Sequence, residues 1–370
     1  MASQIDIPYV NLAAQWEMEK KDLLPIIEEV MSSGWFIGGK HVDNFEEQTA
    51  QFCGVKHCVA LNSGTDALVC GLIALGVGRG DEVITPPNSF IASTAAIAHI
   101  GAVPVFADVL ADQNIDPSKV EEVITDRTKA IMPVHLTGRV ARMAEINEIA
   151  SRHNLGVIED AAQSIGSKID GVNSGAAGDV GCFSAHPLKN LNASGDAGFL
   201  VTDNSEIADR VRSMRSHGLV GRNIVEQFGY VSRMDALQAA ILCYRLERLP
   251  EVIDRRRQNA MRYFDKLKVL DLQLPHEAEN EFNTYHTFVI QLERRDELAD
   301  FLKARGIETA IHYPVPIHLQ PASKYLGHAK GDFVATEEQA DRILTLPVHQ
   351  YLDDAIIDQI CSAISEFLVT

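Results

Sequence analysis

Between residues 58 and 203, short apolar runs alternate with segments whose apolar positions recur every three or four residues. Cys58–Asn62, Glu82–Pro86, Val103–Val109, Lys129–Leu136 and Gly156–Asp160 are apolar runs of strand length. Between them lie Gly64–Leu75, Ser89–Ile100 and Met143–His153, where alanine, leucine and isoleucine fall at helical spacing. Asp116-Pro117 opens a further helix, with a capping acid followed by proline in the first turn. Two more strands are predicted near Val180–Ser184 and Phe199–Asp203. This alternation predicts βαβ units, hence a mostly parallel sheet covered on both faces.

From Asp235 the pattern becomes long and helical through Leu249. Pro250 follows, then a polar, basic helix to Lys268. We expect a large α/β domain over residues 1–250, with an N-terminal helical segment, and a smaller α+β domain over 251–370. The smaller one is predicted to hold a strand near Thr287–Leu292 and helices near Asp296–Arg305, Glu337–Ile343 and Asp354–Phe367. No tandem repeat or low-complexity segment interrupts the pattern.

Charge narrows the partners. The 370 residues carry a formal net charge of −18 and no Lys/Arg-rich run, which argues against nucleic acid or an anionic membrane surface. No apolar stretch reaches the length of a membrane span, and the first residues lack the basic and apolar regions of a signal peptide. Six cysteines without a Cys-x-x-Cys pair read as reduced thiols in a cytoplasmic protein; no metal site is expected.

Chemistry concentrates where apolar runs stop at a polar residue. Val157-Ile158-Glu159-Asp160 ends a predicted strand on a carboxylate, and the loop after Phe183-Ser184 carries Lys189. In a parallel sheet, ligands collect at the carboxyl ends of the strands. A lysine and an aspartate brought to one site suit pyridoxal 5′-phosphate (PLP). The amine forms a Schiff base, and the carboxylate keeps the pyridine nitrogen protonated. Asn62-Ser63-Gly64-Thr65 joins a strand to a helix whose first N–H groups can receive a phosphate. Taken alone, that Gly-Thr would be a turn and a cap. Taken alone, Phe90 would be a core residue and Asp160 a cap.

These motifs together resemble the DegT family of sugar aminotransferases, fold-type-I PLP enzymes, along nearly the whole chain. The resemblance implies that Gly64 and Thr65 hold the PLP phosphate with Ser184, that Phe90 stacks on the ring, and that Gln163 meets the ring hydroxyl. His186 would shape the same loop. Lys189 would then carry PLP and shuttle a proton, whereas the family's dehydratases have histidine there. His217, Arg233, Tyr313 and His318 are candidates for substrate contact. The resemblance further implies glutamate as amino donor, a nucleotide-linked keto sugar as substrate, surface-polysaccharide or glycan biosynthesis as the setting, and a homodimer with active sites at the interface. The Ser232-Arg233-Met234-Asp235 form is closer to members that act at C3 of the sugar than at C4.

This chain departs from the pattern at three positions. Val231 stands where asparagine commonly reaches the partner's PLP phosphate, a bond valine cannot make; Ser232 or a backbone group could replace it. Thr137 and Ser323 stand where tyrosine is common. Alternatives left open are a 4-keto nucleotide sugar, a free keto sugar acid, a cyclitol, or a non-catalytic PLP-binding regulator.

Overall fold

A computed structural model of the protein describes residues 6–369. Its framework is a sheet of β1 (His57–Leu61), β2 (Glu82–Thr85), β3 (Val103–Phe106), β4 (Thr128–Ile131), β5 (Gly156–Asp160), β6 (Val180–Ser184) and β7 (Gly198–Thr202). Among the described residues these seven strands run in the order β1-β7-β6-β5-β4-β2-β3. β7 is antiparallel to both its neighbours; the pairs β6–β5, β5–β4, β4–β2 and β2–β3 are parallel. The strands are apolar without alternation because both faces are covered. On one face Val59, Leu61, Ile158 and Leu200 pack with the helices Gly64–Ala74, Ile91–His99 and Ser205–Met214. On the other, Ala60, Phe183 and Phe199 meet the helix Lys40–Cys53 and the long helix Ala236–Leu267.

A second core surrounds the antiparallel pair β8 (Phe288–Gln291) and β9 (Ile343–Leu346). It gathers Ala260, Tyr263 and Leu267 from the long helix with Ile357, Ile360 and Ile364 of the helix Asp354–Val369. The N-terminal helix Leu12–Ser33 is capped by Asn11 Oδ1, which accepts from the Ala14 N–H at 2.9 Å. It rests through Leu23 and Val30 on the long helix.

Three sequence expectations need correction. The strands predicted to run to Val109 and Leu136 end at Phe106 and Ile131. In the second case Pro133 lacks the N–H that would continue the ladder. Pro250 does not divide the helical stretch: one helix of 32 residues runs through it. Leu246, Leu249 and Ile253 are buried on both sides of the proline, and that packing offsets the lost hydrogen bond. Ile343, read as the end of a helix, instead begins β9, since the helix Val334–Arg342 passes into four buried residues without a glycine or proline between them.

All six cysteines are free, and five are buried with Cys243 partly so. Among the described residues no helix is long and apolar enough to cross a membrane.

Candidate active site

A cavity of about 360 Å³ lies at the carboxyl ends of β1, β5 and β6, lined by Ser63, Asp160, Ser184 and the loop that carries Lys189. That loop is held from three sides. Its Lys189 N–H donates to the His186 carbonyl at 2.8 Å, Asn190 Nδ2 donates to the Thr284 carbonyl at 3.2 Å, and Asn192 exchanges hydrogen bonds with Gln15 at 2.9 and 3.0 Å. The two asparagines were not singled out from sequence. Both follow Lys189 in the chain, and Asn192 Nδ2 also donates to the Pro187 carbonyl at 2.8 Å, so together they fix the backbone around an amine that projects into the cavity.

Asp160 is buried at the end of β5. Ser93 Oγ donates to its Oδ2 at 2.6 Å, and the Ala162 N–H donates to Oδ1 at 3.2 Å. Burial raises its pKa, opposed chiefly by the Ser93 hydrogen bond and further by the charge of Lys189. A Ser93→Ala enzyme loses the strongest opposing contact. The acid limb of its pH–rate profile is expected to move to higher pH, because the carboxyl then stays protonated over a wider range. An unmoved limb would show that Ser93 does not govern this ionisation.

The preceding acid serves a different end. Glu159 is fully buried and accepts from the Gly175, Ala177 and Gly178 N–H groups at 2.7, 2.8 and 2.6 Å. His135 Nε2 lies 2.7 Å from the same carboxylate, while its Nδ1 accepts from the Ala141 N–H at 3.1 Å, so Nε2 carries the proton. The His135 N–H donates to the Asp160 carbonyl at 3.0 Å. Glu159 thus anchors the strand end from which Asp160 faces the cavity.

Desolvation by the cavity walls lowers the Lys189 ammonium to about 8, with Asp160 opposing the shift. The folded state therefore binds this proton more weakly than the unfolded chain does. The associated stability deficit is present below pH 8 and disappears as pH rises from there to the ordinary lysine range. The neutral amine is also the nucleophile. The rate at which the apoprotein captures PLP is expected to rise with pH and level off above about 8. An inflection near the ordinary lysine value in a stopped-flow titration would contradict this.

The helix Gly64–Ala74 presents its N-terminus to the cavity. Ser63 caps it, its Oγ accepting from the Asp66 N–H at 3.1 Å, which leaves the first-turn N–H groups of Gly64 and Thr65 unbonded within the helix. A Cβ on Gly64 would stand 2.7 Å from Ser184 Cβ. Glycine is needed there for the helix end to meet the end of β6.

Residues distant in sequence form the rest of the wall. Phe90 is 55% exposed, with its ring 5.6 Å from that of Tyr313. It belongs to the cavity and not to the core. Gln163 is buried, its Oε1 accepting from the Thr137 N–H at 2.8 Å and its Nε2 reaching the Tyr313 hydroxyl at 3.4 Å. Tyr9, His286 and His312 also line the cavity; the first two were missed from sequence, whereas His312 opens the segment that carries Tyr313 and His318, to which the sequence already pointed. Tyr9 and His286 lie far in sequence from the strand-end motifs and belong to none of them. Burial, joined by the positive charge of Lys189, lowers His312 to about 4 and depresses His286 strongly, so both imidazoles are neutral near pH 7.

A sequence profile described as the DegT/DnrJ/EryC1/StrS aminotransferase family matches residues 17–365. The chain belongs to that family. A Geobacillus stearothermophilus protein named a pleiotropic regulatory protein is 40% identical, covering 98% of this chain and 99% of its own length. The UDP-N-acetyl-3-dehydro-alpha-D-glucosamine 3-aminotransferase of Acidithiobacillus ferrooxidans is 40% identical over the full length of both chains. The crystal structure of Streptomyces venezuelae DesV in complex with a ketimine intermediate superposes with a TM-score of 0.97 at 38% identity, covering both chains completely. The α/β fold with a mostly parallel central sheet is accordingly that of the PLP aminotransferases.

Membership implies PLP, and the donor set of this aminotransferase fits it. One lysine, one buried carboxylate and an N-terminal helix turn converge on one cavity, with an exposed aromatic ring beside them. Tyr313 also lines it. The other expected substrate residues do not. His318 is buried outside the cavity, with Nε2 3.0 Å from Glu337 Oε1 and its ring edge-on to Phe333 at 4.7 Å; it is a packing residue. His217, in a left-handed turn at φ 65°, donates its N–H to the Tyr230 carbonyl, and Arg233 also lies away from the cavity. Ser232 cannot stand in for the missing asparagine, because it is buried and its hydroxyl donates to Asn62 Oδ1 of its own chain at 3.0 Å. Val231 is exposed.

Proposed function

We propose that this aminotransferase converts a 3-keto sugar linked to a nucleoside diphosphate into the 3-amino sugar, using PLP and, as donor, glutamate. The observation that carries the reading is the convergence of Lys189, Asp160 and the Gly64–Thr65 helix end on one cavity. The named 3-aminotransferase relative supports the carbon position and the nucleotide. Bound PLP supplies an aldehyde to receive the amino group and a ring that withdraws electrons from the substrate carbon.

The chain's own residues do the rest. The Gly64 and Thr65 N–H groups and the Ser184 hydroxyl receive the phosphate, Phe90 covers the ring, and Gln163 meets its hydroxyl. Asp160 holds a proton on the ring nitrogen across from Lys189. Once the donor amine has displaced it, Lys189 Nζ is neutral in the range set by its lowered pKa, and it moves a proton from the substrate carbon to the cofactor carbon. Neutral His286 and His312 can both donate to and accept from sugar hydroxyls without adding charge.

The reading includes a homodimer with active sites at its interface. Trp35, Phe36 and Ile37 are exposed beside the start of the long helix, where the Ala236 N–H donates to the Phe36 carbonyl. Phe228 and Val231 are exposed on the segment leading into it. A partner can bring His217 or Arg233 toward the substrate in a way one chain does not.

The test is a panel of 3-keto and 4-keto nucleotide sugars, free keto sugar acids and inososes, offered with glutamate to a preparation whose mass is followed by sedimentation. Turnover of the 3-keto nucleotide sugar by a dimer is expected. Turnover of only a 4-keto sugar would reject the carbon assignment; turnover of only a free acid or inosose would reject the nucleotide. The regulatory name of one relative favours a second reading, a PLP-binding regulator without catalysis. Absence of amino transfer across the whole panel would favour it.

A further inference from the structure

A second cavity, of about 310 Å³, shares no lining residue with the catalytic one. One of its walls is built from every second residue of a single segment: Asn283, Tyr285, Thr287, Val289 and Gln291. The residues between them turn elsewhere, with His286 on the catalytic cavity and Phe288 and Ile290 in the second core. The opposite wall comes from the loops around Gln113, Thr137 and Arg139. The two cavities are thus divided by one layer of backbone. In that layer the Thr287 N–H donates to the Thr137 carbonyl at 3.2 Å and the Thr284 N–H to the Gly138 carbonyl at 3.1 Å. Gly138, at φ 94°, has no room for a Cβ, which would stand 2.8 Å from the His286 nitrogen.

The chemistry of the wall is selective. Arg139 is spoken for, donating to Glu281 Oε1 at 2.6 Å and lying 3.6 Å from Asp112 Oδ2, so its charge does not call for an anionic ligand. Arg142, also on the lining, lies 3.7 Å from Glu145 Oε1. Beside these ion pairs and His276, the polar groups are amides and hydroxyls. Asn283 Oδ1 and Thr287 Oγ1 are buried without a hydrogen-bond partner, and such atoms are costly unless something satisfies them. Val289 and the neighbouring Leu274 and Pro275 supply apolar surface beside them. Hydroxyls for the amides together with C–H faces for the apolar side are the signature of a saccharide ring, and the volume falls at the lower end of ligand pockets, roughly 300–1,000 Å³.

We propose that this cavity is a second binding site, for a neutral polyhydroxylated ligand of monosaccharide size. The proposal does not depend on the substrate of the catalytic site, since it concerns binding without turnover.

D-Glucose, D-galactose and N-acetyl-D-glucosamine are the probes, each titrated into the PLP-loaded protein and followed by calorimetry and saturation-transfer NMR. At least one is expected to bind. Thr287→Val removes one unpartnered hydroxyl at constant shape and is expected to weaken that binding about tenfold, the equivalent of one hydrogen bond. Val289→Phe fills the cavity and is expected to abolish binding. Both variants should keep the PLP absorption of the parent, and Thr287→Val a thermal midpoint no lower than the parent's. If Val289→Phe fails to fold, Thr287→Val decides alone. Failure of all three sugars to bind overturns the proposal. So does undiminished binding in the folded variants, which would place the sugar in the catalytic cavity.

Discussion

Lys189→Ala is expected to lower amino transfer by about 10⁴-fold or more, the largest effect of any single substitution in the chain. The side chain is asked to do two things that no neighbour can take over. It must bind the cofactor covalently through a neutral amine, and it must carry a proton between two carbons. His286 and His312 share the cavity, but burial and the adjacent positive charge hold His312 near 4 and His286 well below its usual value, too weakly basic for the second task. The loop itself should survive, since the bonds of Asn190 and Asn192 do not involve the lysine side chain. The measurement is a single-turnover assay, together with borohydride reduction and peptide mapping of the parent protein. The pyridoxyl group should map to Lys189, and methylamine should restore some of the variant's rate. A reduced adduct on another lysine would overturn the assignment.

Asp160→Asn is expected to lower the half-reaction rate by about 10³-fold while much of the PLP affinity remains. The amide has the shape of the carboxylate and can keep a bond to Ser93 or to the Ala162 N–H. What it lacks is the charge that keeps a proton on the ring nitrogen. Glu159→Gln is the informative contrast. That acid faces four donors and no cavity, so its loss should show in thermal stability and leave the ring's protonation state, read from the absorption spectrum, unchanged. A near-normal single-turnover rate for Asp160→Asn would remove it from the mechanism.

The half of the cavity proposed for catalysis is legible because parallel sheets write their sites in local motifs. Asp160, Ser184, Lys189 and the Gly64–Thr65 turn each lie at or just beyond a strand end, where an apolar run breaks at a polar residue. Ser93 was not legible. It looks like any small residue of an alanine-rich helix, and only the fold shows its hydroxyl meeting Asp160. Tyr9 and His286 were hidden for another reason: they reach the cavity through long-range packing, which no local spacing encodes. His318 misled because histidine and proline spacing in Tyr313–Gln320 does not distinguish a residue facing a ligand from one buried against Phe333 and Glu337. Pro250 misled because a rule about isolated helices was applied to one packed on both of its ends.

That uninterrupted helix acts as an indexing shaft. Its first half is keyed into the sheet's core by Leu242, Leu246 and Leu249, its last turns into the other core by Ala260, Tyr263 and Leu267. Between them Arg256 Nη1 donates to the Tyr285 and His286 carbonyls at 3.2 and 3.1 Å, and so gauges the segment that divides the two cavities. Each residue advances a helix by about 100°. Gaining or losing one residue between Leu249 and Arg256 would therefore swing the guanidinium and the second set of apolar keys off their partners together. The length of this stretch is a fixed quantity, counted in whole residues, on which the placement of both cavities depends.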